Sequence, residues 1–204
     1  MLKRTSTTVA LVLSGSAAQA HHVMGGAMPE TFAQGLVSGL AHPVIGLDHF
    51  AFVVAAGILA APLARGPLIV LVFLAGGVLG AALHLAGLDL PGSEVAIALS
   101  VVALAGLVLV RRSAPAPVLA ALFAAAGVFH GYALTETIVG AESTPLAAYF
   151  AGLIAVQYGV ALAALCATRW ITAARPALAR QALAGVGVLT LAVGLTCLLG
   201  AALA

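Results

Sequence analysis

Residues 67–86 read PLIVLVFLAGGVLGAALHLA, twenty consecutive positions without an Asp, Glu, Lys or Arg and with one histidine, His84. At 1.5 Å per residue a helix of that length is about 30 Å long, the thickness of the hydrocarbon core of a bilayer. The rest of the chain has the same character. It has 204 residues, 63% hydrophobic and 7% charged, with a mean hydropathy of +1.20. A soluble domain carries about 25% charged residues. The composition excludes a water-soluble globule, and it excludes a disordered chain, which needs low hydrophobicity. The apolar runs are too long for barrel strands. A formal net charge of +2 is too small to point to a nucleic-acid partner.

Five further apolar segments flank this one: Val44–Ala61, Gly92–Val110, Pro117–Val139, Pro145–Thr168 and Ala179–Leu203. Proline and glycine punctuate the gaps, at Pro62, Pro67, Pro91-Gly92, Pro115, Pro117, Gly140, Pro145 and Pro176. Ahead of them, Pro29 to Ala41 reads as a short helix with Phe32, Leu36 and Leu40 at i, i+4 and i+8. That spacing predicts a helix on the outer surface or tucked into the bundle mouth. Met1 to Ala20 reads as a secretory signal: Lys3 and Arg4, then the apolar Val9 to Leu13, then Ala18-Gln19-Ala20 as a small-x-small cleavage site. Cleavage after Ala20 leaves a mature chain, residues 21–204, beginning His21-His22. The expected fold class is therefore all-α, a polytopic membrane bundle of six transmembrane helices after a cleaved signal peptide. Cys166 and Cys197 lie inside apolar runs and read as buried free thiols, with no CxxC spacing.

The arginines orient the bundle. Arg65, Arg111, Arg112, Arg169, Arg175 and Arg180 fall in alternate connections, whereas the opposite ones carry Asp89, Glu94 and Glu142 and no Lys or Arg. The positive-inside rule puts the arginines in the cytoplasm and both mature termini outside, the periplasmic side of a bacterial inner membrane.

Ionisable groups at membrane depth cost about 2.5–3.5 kcal/mol each on insertion scales, so they need partners. They are concentrated in this chain. The first span opens His42-Pro43-Val44-Ile45-Gly46-Leu47-Asp48-His49. If the helix begins at Pro43, a favoured first position, His42 and His49 stand two turns apart on one face and Asp48 sits beside His49. Two imidazoles and a carboxylate suit a divalent transition metal; Asp48 can instead orient an imidazole from outside the coordination shell. The fourth span adds His130 and Glu136, and Glu142 follows in the outer loop. His84, Tyr132 and Gln157 are secondary candidates. A lone transmembrane histidine such as His84 equally serves as an interhelical hydrogen-bond contact, and Glu142 beside Ser143-Thr144-Pro145 equally serves a helix N-terminus. At the expected mature N-terminus His21-His22, the α-amine, the following amide nitrogen and the second imidazole form a chelate for nickel or copper, weaker at low pH; an incidental pair of surface histidines is the alternative.

These residues resemble the HupE/UreJ family of nickel/cobalt permeases along nearly the whole chain. The family motif His-Pro-x-x-Gly-x-Asp-His is complete in His42 to His49. A second motif, similar to Phe-His-x-x-Ala-His-Gly-x-Glu, is partial: Phe129, His130 and Ala133 match, Leu134 replaces the second histidine, Thr135 replaces the glycine, and Glu136 comes one place early. The stretch through Ile138-Val139-Gly140-Ala141-Glu142-Ser143-Thr144-Pro145 looks like a subgroup in which this motif is altered. Loss of that histidine leaves Glu136 or Glu142 to supply an oxygen ligand, or a different metal preference.

The resemblance implies a permease domain over residues 21–204 that carries Ni²⁺ or Co²⁺ inward as its transported ligand, with no prosthetic group. It implies a metal site drawn from His42, Asp48, His49, His130, Glu136 and Glu142, with His21 and His22 capturing the ion outside. The expected partners are the divalent ion and the lipid bilayer; a second protein or a second copy stays open. With no nucleotide-binding motif, the drive would be the membrane potential, about 2.3 kcal/mol per charge per 100 mV, or such a partner. Two other classes remain: a metal-binding sensor or assembly subunit that does not transport, and an intramembrane hydrolase using His, Asp and a hydroxyl such as Ser38 or Ser100. The second lacks a GxSxG or HExxH setting.

Overall fold

The computed structural model describes residues 27–111 and 114–203. The signal segment, His21, His22 and Arg112 lie outside these. Seven α-helices follow in order: α1 (Phe32–Ile45), α2 (Leu47–Ala60), α3 (Gly66–Leu85), α4 (Ser93–Val110), α5 (Ala116–Thr135), α6 (Ser143–Ala174) and α7 (Pro176–Leu203). A 3₁₀ turn, Glu136–Ile138, extends α5. The protein is a multi-pass membrane bundle. Helices α3, α4, α5, α6 and α7 are each long and apolar enough to cross a bilayer, and α1 with α2, bent by 78°, forms either a broken sixth span or a re-entrant loop.

That bend corrects the sequence reading of the first span. Thr31 and Gln34 form a reciprocal capping box, with the Gln34 amide donating to Thr31 Oγ1 at 3.2 Å. It satisfies orphan donors at the start of α1, so the helix begins at Phe32 and runs through Pro43. Pro43 is thus an interior residue of α1 and not the first residue of the span. It has no N–H to offer one turn back, and α1 stops two residues later. Gly46 is extended (φ −69°, ψ 98°), donates to the His42 carbonyl at 3.0 Å and accepts from Phe50 at 2.9 Å. It ends one helix and opens the next. His42 and His49 therefore lie on two helices at an angle.

Helix α1 packs on its glycine face, not on its Phe32 and Leu40, which are exposed. A Cβ on Gly35 or Gly39 would strike the backbone of Pro145 or Tyr149 in α6, and one on Gly152 of α6 would strike Leu36 of α1. Helices α3 and α5 approach in the same way, with Gly76 and Gly80 facing Ala124 and Val128, and Gly127 and Gly131 facing Phe73 and Gly77. Lipid gives apolar helices no hydrophobic reason to associate, so close backbone approach through small residues is what holds such pairs. Helices α2 to α6 share a buried core of Phe52, Phe73, Phe123, Leu104, Leu119 and Leu165.

The arginine-bearing ends are tied together. Arg169 of α6 donates from Nε to the Ala61 carbonyl at 2.8 Å and from its terminal nitrogen to that of Leu63 at 2.7 Å, satisfying carbonyls left over where α2 ends. Arg111 reaches the Arg180 carbonyl at 3.0 Å. Both cysteines are free as expected, but Cys166 is exposed on α6 and Cys197 is half-buried. Each sits on a helix face turned partly or wholly away from the core, so neither is a buried thiol.

Candidate metal centre

Three histidines from three elements meet near the end of the bundle that lacks arginines. His42 comes from the last turn of α1, His49 from the first turn of α2, and His130 from α5, five residues before that helix ends. At 1.5 Å per residue His130 lies roughly 8 Å below the end of α5. All three are buried, His130 completely.

His49 and His130 are hydrogen-bonded Nδ1 to Nδ1 at 2.7 Å, one ring donating and the other accepting. Two imidazole nitrogens bound to one ion at about 2.0–2.1 Å and at a right angle lie about 2.9 Å apart. The pair thus stands close to the spacing of two adjacent ligands. Asp48 places Oδ1 2.8 Å from the His49 amide nitrogen, which donates to it, and 4.0 Å from His49 Nε2. It sets a negative charge beside the imidazole that faces His130. His42 stands one ring further out, with its centroid 6.4 Å from that of His49. Its Nδ1 lies 2.7 Å from the Tyr149 hydroxyl and 3.3 Å from Thr137 Oγ1. The Tyr149 hydroxyl donates to the Leu134 carbonyl, so it accepts from His42. His130 is also held from behind: Ser100 Oγ lies 3.0 Å from its Nε2, and the rings of Phe52 and Phe73 pack against it with centroids at 4.5 and 5.7 Å.

His42, Asp48, His49 and His130 are brought into one neighbourhood. Among the described residues, however, no group of three or more His, Cys, Asp or Glu side chains is already drawn together around a metal position. Glu136 and Glu142 do not join them. Both are exposed, Glu136 at the C-terminal cap of α5 and Glu142 at the N-terminal cap of α6, and neither carboxylate makes a hydrogen bond or ion pair among the described residues. Glu136 therefore does not pair with His130: the helix carries it past the end of α5 into the turn. Leu134, at the place of the family's second histidine, is buried in an apolar cluster with Ile138, Tyr149 and Leu153.

The secondary candidates stand apart. His84 packs against Tyr132 with ring centroids 4.2 Å apart and planes tilted by 51°, and the Tyr132 hydroxyl points at Asp89 Oδ1 across 3.5 Å, long for an O–H···O bond. Gln157 is buried against a crevice lined by Phe73, Gly77, Gly131 and Leu153. His21 and His22 lie outside the described residues. Thr137 and Tyr149 were not legible as site residues, and Ser100 only as a spare hydroxyl. Their one signal in the sequence is polarity inside apolar helices or at their ends.

The family model described as HupE / UreJ protein matches residues 9–197. Protein HupE of Rhizobium leguminosarum bv. viciae is 36% identical over 135 residues, which is 63% of this chain and 65% of that protein. The chain thus spans somewhat less than two thirds of the length of that relative. No solved structure matches.

Proposed function

The chain belongs to the HupE/UreJ family, and from that premise we propose that it carries a divalent transition-metal ion, nickel or cobalt, across the inner membrane into the cytoplasm. The observation that carries this reading is the His49–His130 pair, two imidazole nitrogens 2.7 Å apart inside an otherwise apolar bundle. Imidazoles with a nearby carboxylate suit late first-row divalent ions. The ion enters at the end without arginines, from the periplasmic side, meets His42 and then sits between His49 and His130, with the charge of Asp48 offsetting part of its own. His21 and His22, ahead of α1 in the sequence, would capture it first.

Below the histidines the path is shut. Phe52 stacks on Phe73 at 4.8 Å and meets Phe123 edge-on at 6.1 Å, so the ion cannot continue until those rings part. A site that must release its cargo cannot bind it too tightly. A shell with two adjacent nitrogens and one more distant histidine fits that need better than a closed four-ligand cage. The test is uptake of radioactive nickel or cobalt by cells producing the wild type or His49→Ala at equal membrane levels. The variant should accumulate no more than cells without the protein; accumulation equal to wild type would sink the assignment.

A further inference from the structure

We infer that Ser100 is a positioning residue for the metal ion: it holds His130 in the tautomer that turns the Nδ1 lone pair toward His49. The inference rests on the proposed reading of the histidines as the ion's ligands. Ser100 sits on α4, seven residues from the start of that helix, and contributes no ligand itself. Its hydroxyl lies 2.6 Å from the Ile97 carbonyl, three residues back, and donates to it. A hydroxyl has one proton and two lone pairs. With that proton committed to Ile97, the oxygen can only accept from His130 Nε2, 3.0 Å away. Nε2 therefore carries hydrogen, and in a neutral imidazole the lone pair is then at Nδ1. This is the nitrogen that stands 2.7 Å from His49 Nδ1.

The ring has no freedom to exchange the two nitrogens. His130 is completely buried, and Phe52 and Phe73 pack against it. Without the hydroxyl, nothing on the α4 side selects between the Nε2–H and Nδ1–H forms, and the second form puts the hydrogen of the His49–His130 bond on His130 instead of on His49. Groups that orient a metal-bound histidine from behind typically change metal affinity by about 10–100-fold when removed.

The experiment uses the full chain purified in detergent. Cobalt binding is followed by its visible absorption, and the tautomers by ¹⁵N spectra of histidine-labelled protein, with His130→Ala identifying the His130 signals. Ser100 is only half-buried, so Thr and Val both have room. These two are isosteric and differ only in the hydroxyl. Ser100→Thr should keep wild-type affinity and the Nε2–H signature. Ser100→Val and Ser100→Ala should bind cobalt about 10–100-fold more weakly and show the Nδ1–H form of His130 beside the Nε2–H form. If Val behaves as Thr does in both measurements, the role of Ser100 is overturned. If His130→Ala binds cobalt as wild type does, the reading of the site falls, and this inference with it.

Discussion

Gly46 is the residue whose replacement speaks most directly to how the centre is built. Its φ of −69° is open to any residue, so alanine meets no backbone strain there. What it meets is the His49 ring. An added Cβ would stand 2.8 Å from His49 Cδ2, where ordinary contact starts at 3.4 Å. The ring must yield by the difference, 0.6 Å, three times the roughly 0.2 Å tolerance of a metal–ligand distance. Accommodating it by turning the side chain off its rotamer costs about 0.5–1.5 kcal/mol. At 1.4 kcal/mol per decade, this is an about two- to twelve-fold loss of cobalt or nickel affinity. Gly46→Ala should show that loss in a cobalt titration, and because the clash is present before any metal binds, it should lower metal-free stability by no more than the same about 0.5–1.5 kcal/mol. In a His49→Ala background the same change should cost nothing further, since there is no ring left to displace. Wild-type affinity in Gly46→Ala, or an equal loss with and without His49, would refute the steric argument.

Three further outcomes follow from other contacts. Gly131→Ala puts a Cβ into the backbone of Gly77 and should destabilise the bundle by about 1–3 kcal/mol, the usual cost of overpacking, read as a lowered unfolding temperature; an unchanged temperature would show that α3 and α5 separate freely. Tyr149→Phe removes the hydroxyl shared between His42 and the Leu134 carbonyl and should cost about 0.5–1.5 kcal/mol, again by thermal unfolding. It should also weaken cobalt binding less than His130→Ala does. Glu136→Gln with Glu142→Gln should leave the cobalt spectrum unchanged, because both carboxylates are exposed and hold no partner among the described residues; a shifted spectrum would place one of them in the coordination shell.

The apolar runs located the five straight spans to within a few residues at most ends, because length and the absence of charge decide where a chain can cross lipid. The first span was misread for a specific reason. The helix expected over Pro29–Ala41 is there, opened by the T-x-x-Q of Thr31-Phe32-Ala33-Gln34, but it runs on through Pro43 to Ile45; because Pro43 is a good first residue of a helix, the span was started there. The glycine contacts were also legible, as Gly35 and Gly39, Gly76 and Gly80, and Gly127 and Gly131, each pair four apart. The site was legible only along the chain. The motif names His42, Asp48 and His49, and its partner names His130. That Nδ1 faces Nδ1, that Ser100 reaches His130 from α4, and that Tyr149 reaches His42 from α6 depend on how distant helices pack, and no local spacing encodes that.

The break at Gly46 explains why a cation would bind here and not along a straight helix. An unbroken span presents lipid and neighbours with a wall of satisfied backbone. A helix that ends inside the bundle presents carbonyls, and with them the partial negative charge of its C-terminus, here beside His42. Pro43 adds to this by withholding the N–H that the Gly39 carbonyl would meet in a regular helix. The helix that restarts at Leu47 has Asp48 in its first turn, where the N-terminal dipole favours a carboxylate. The two half-helices thus bring a negative end and a held carboxylate to the same place as the imidazoles. A variant that restores one continuous helix would keep all four side chains and lose this field.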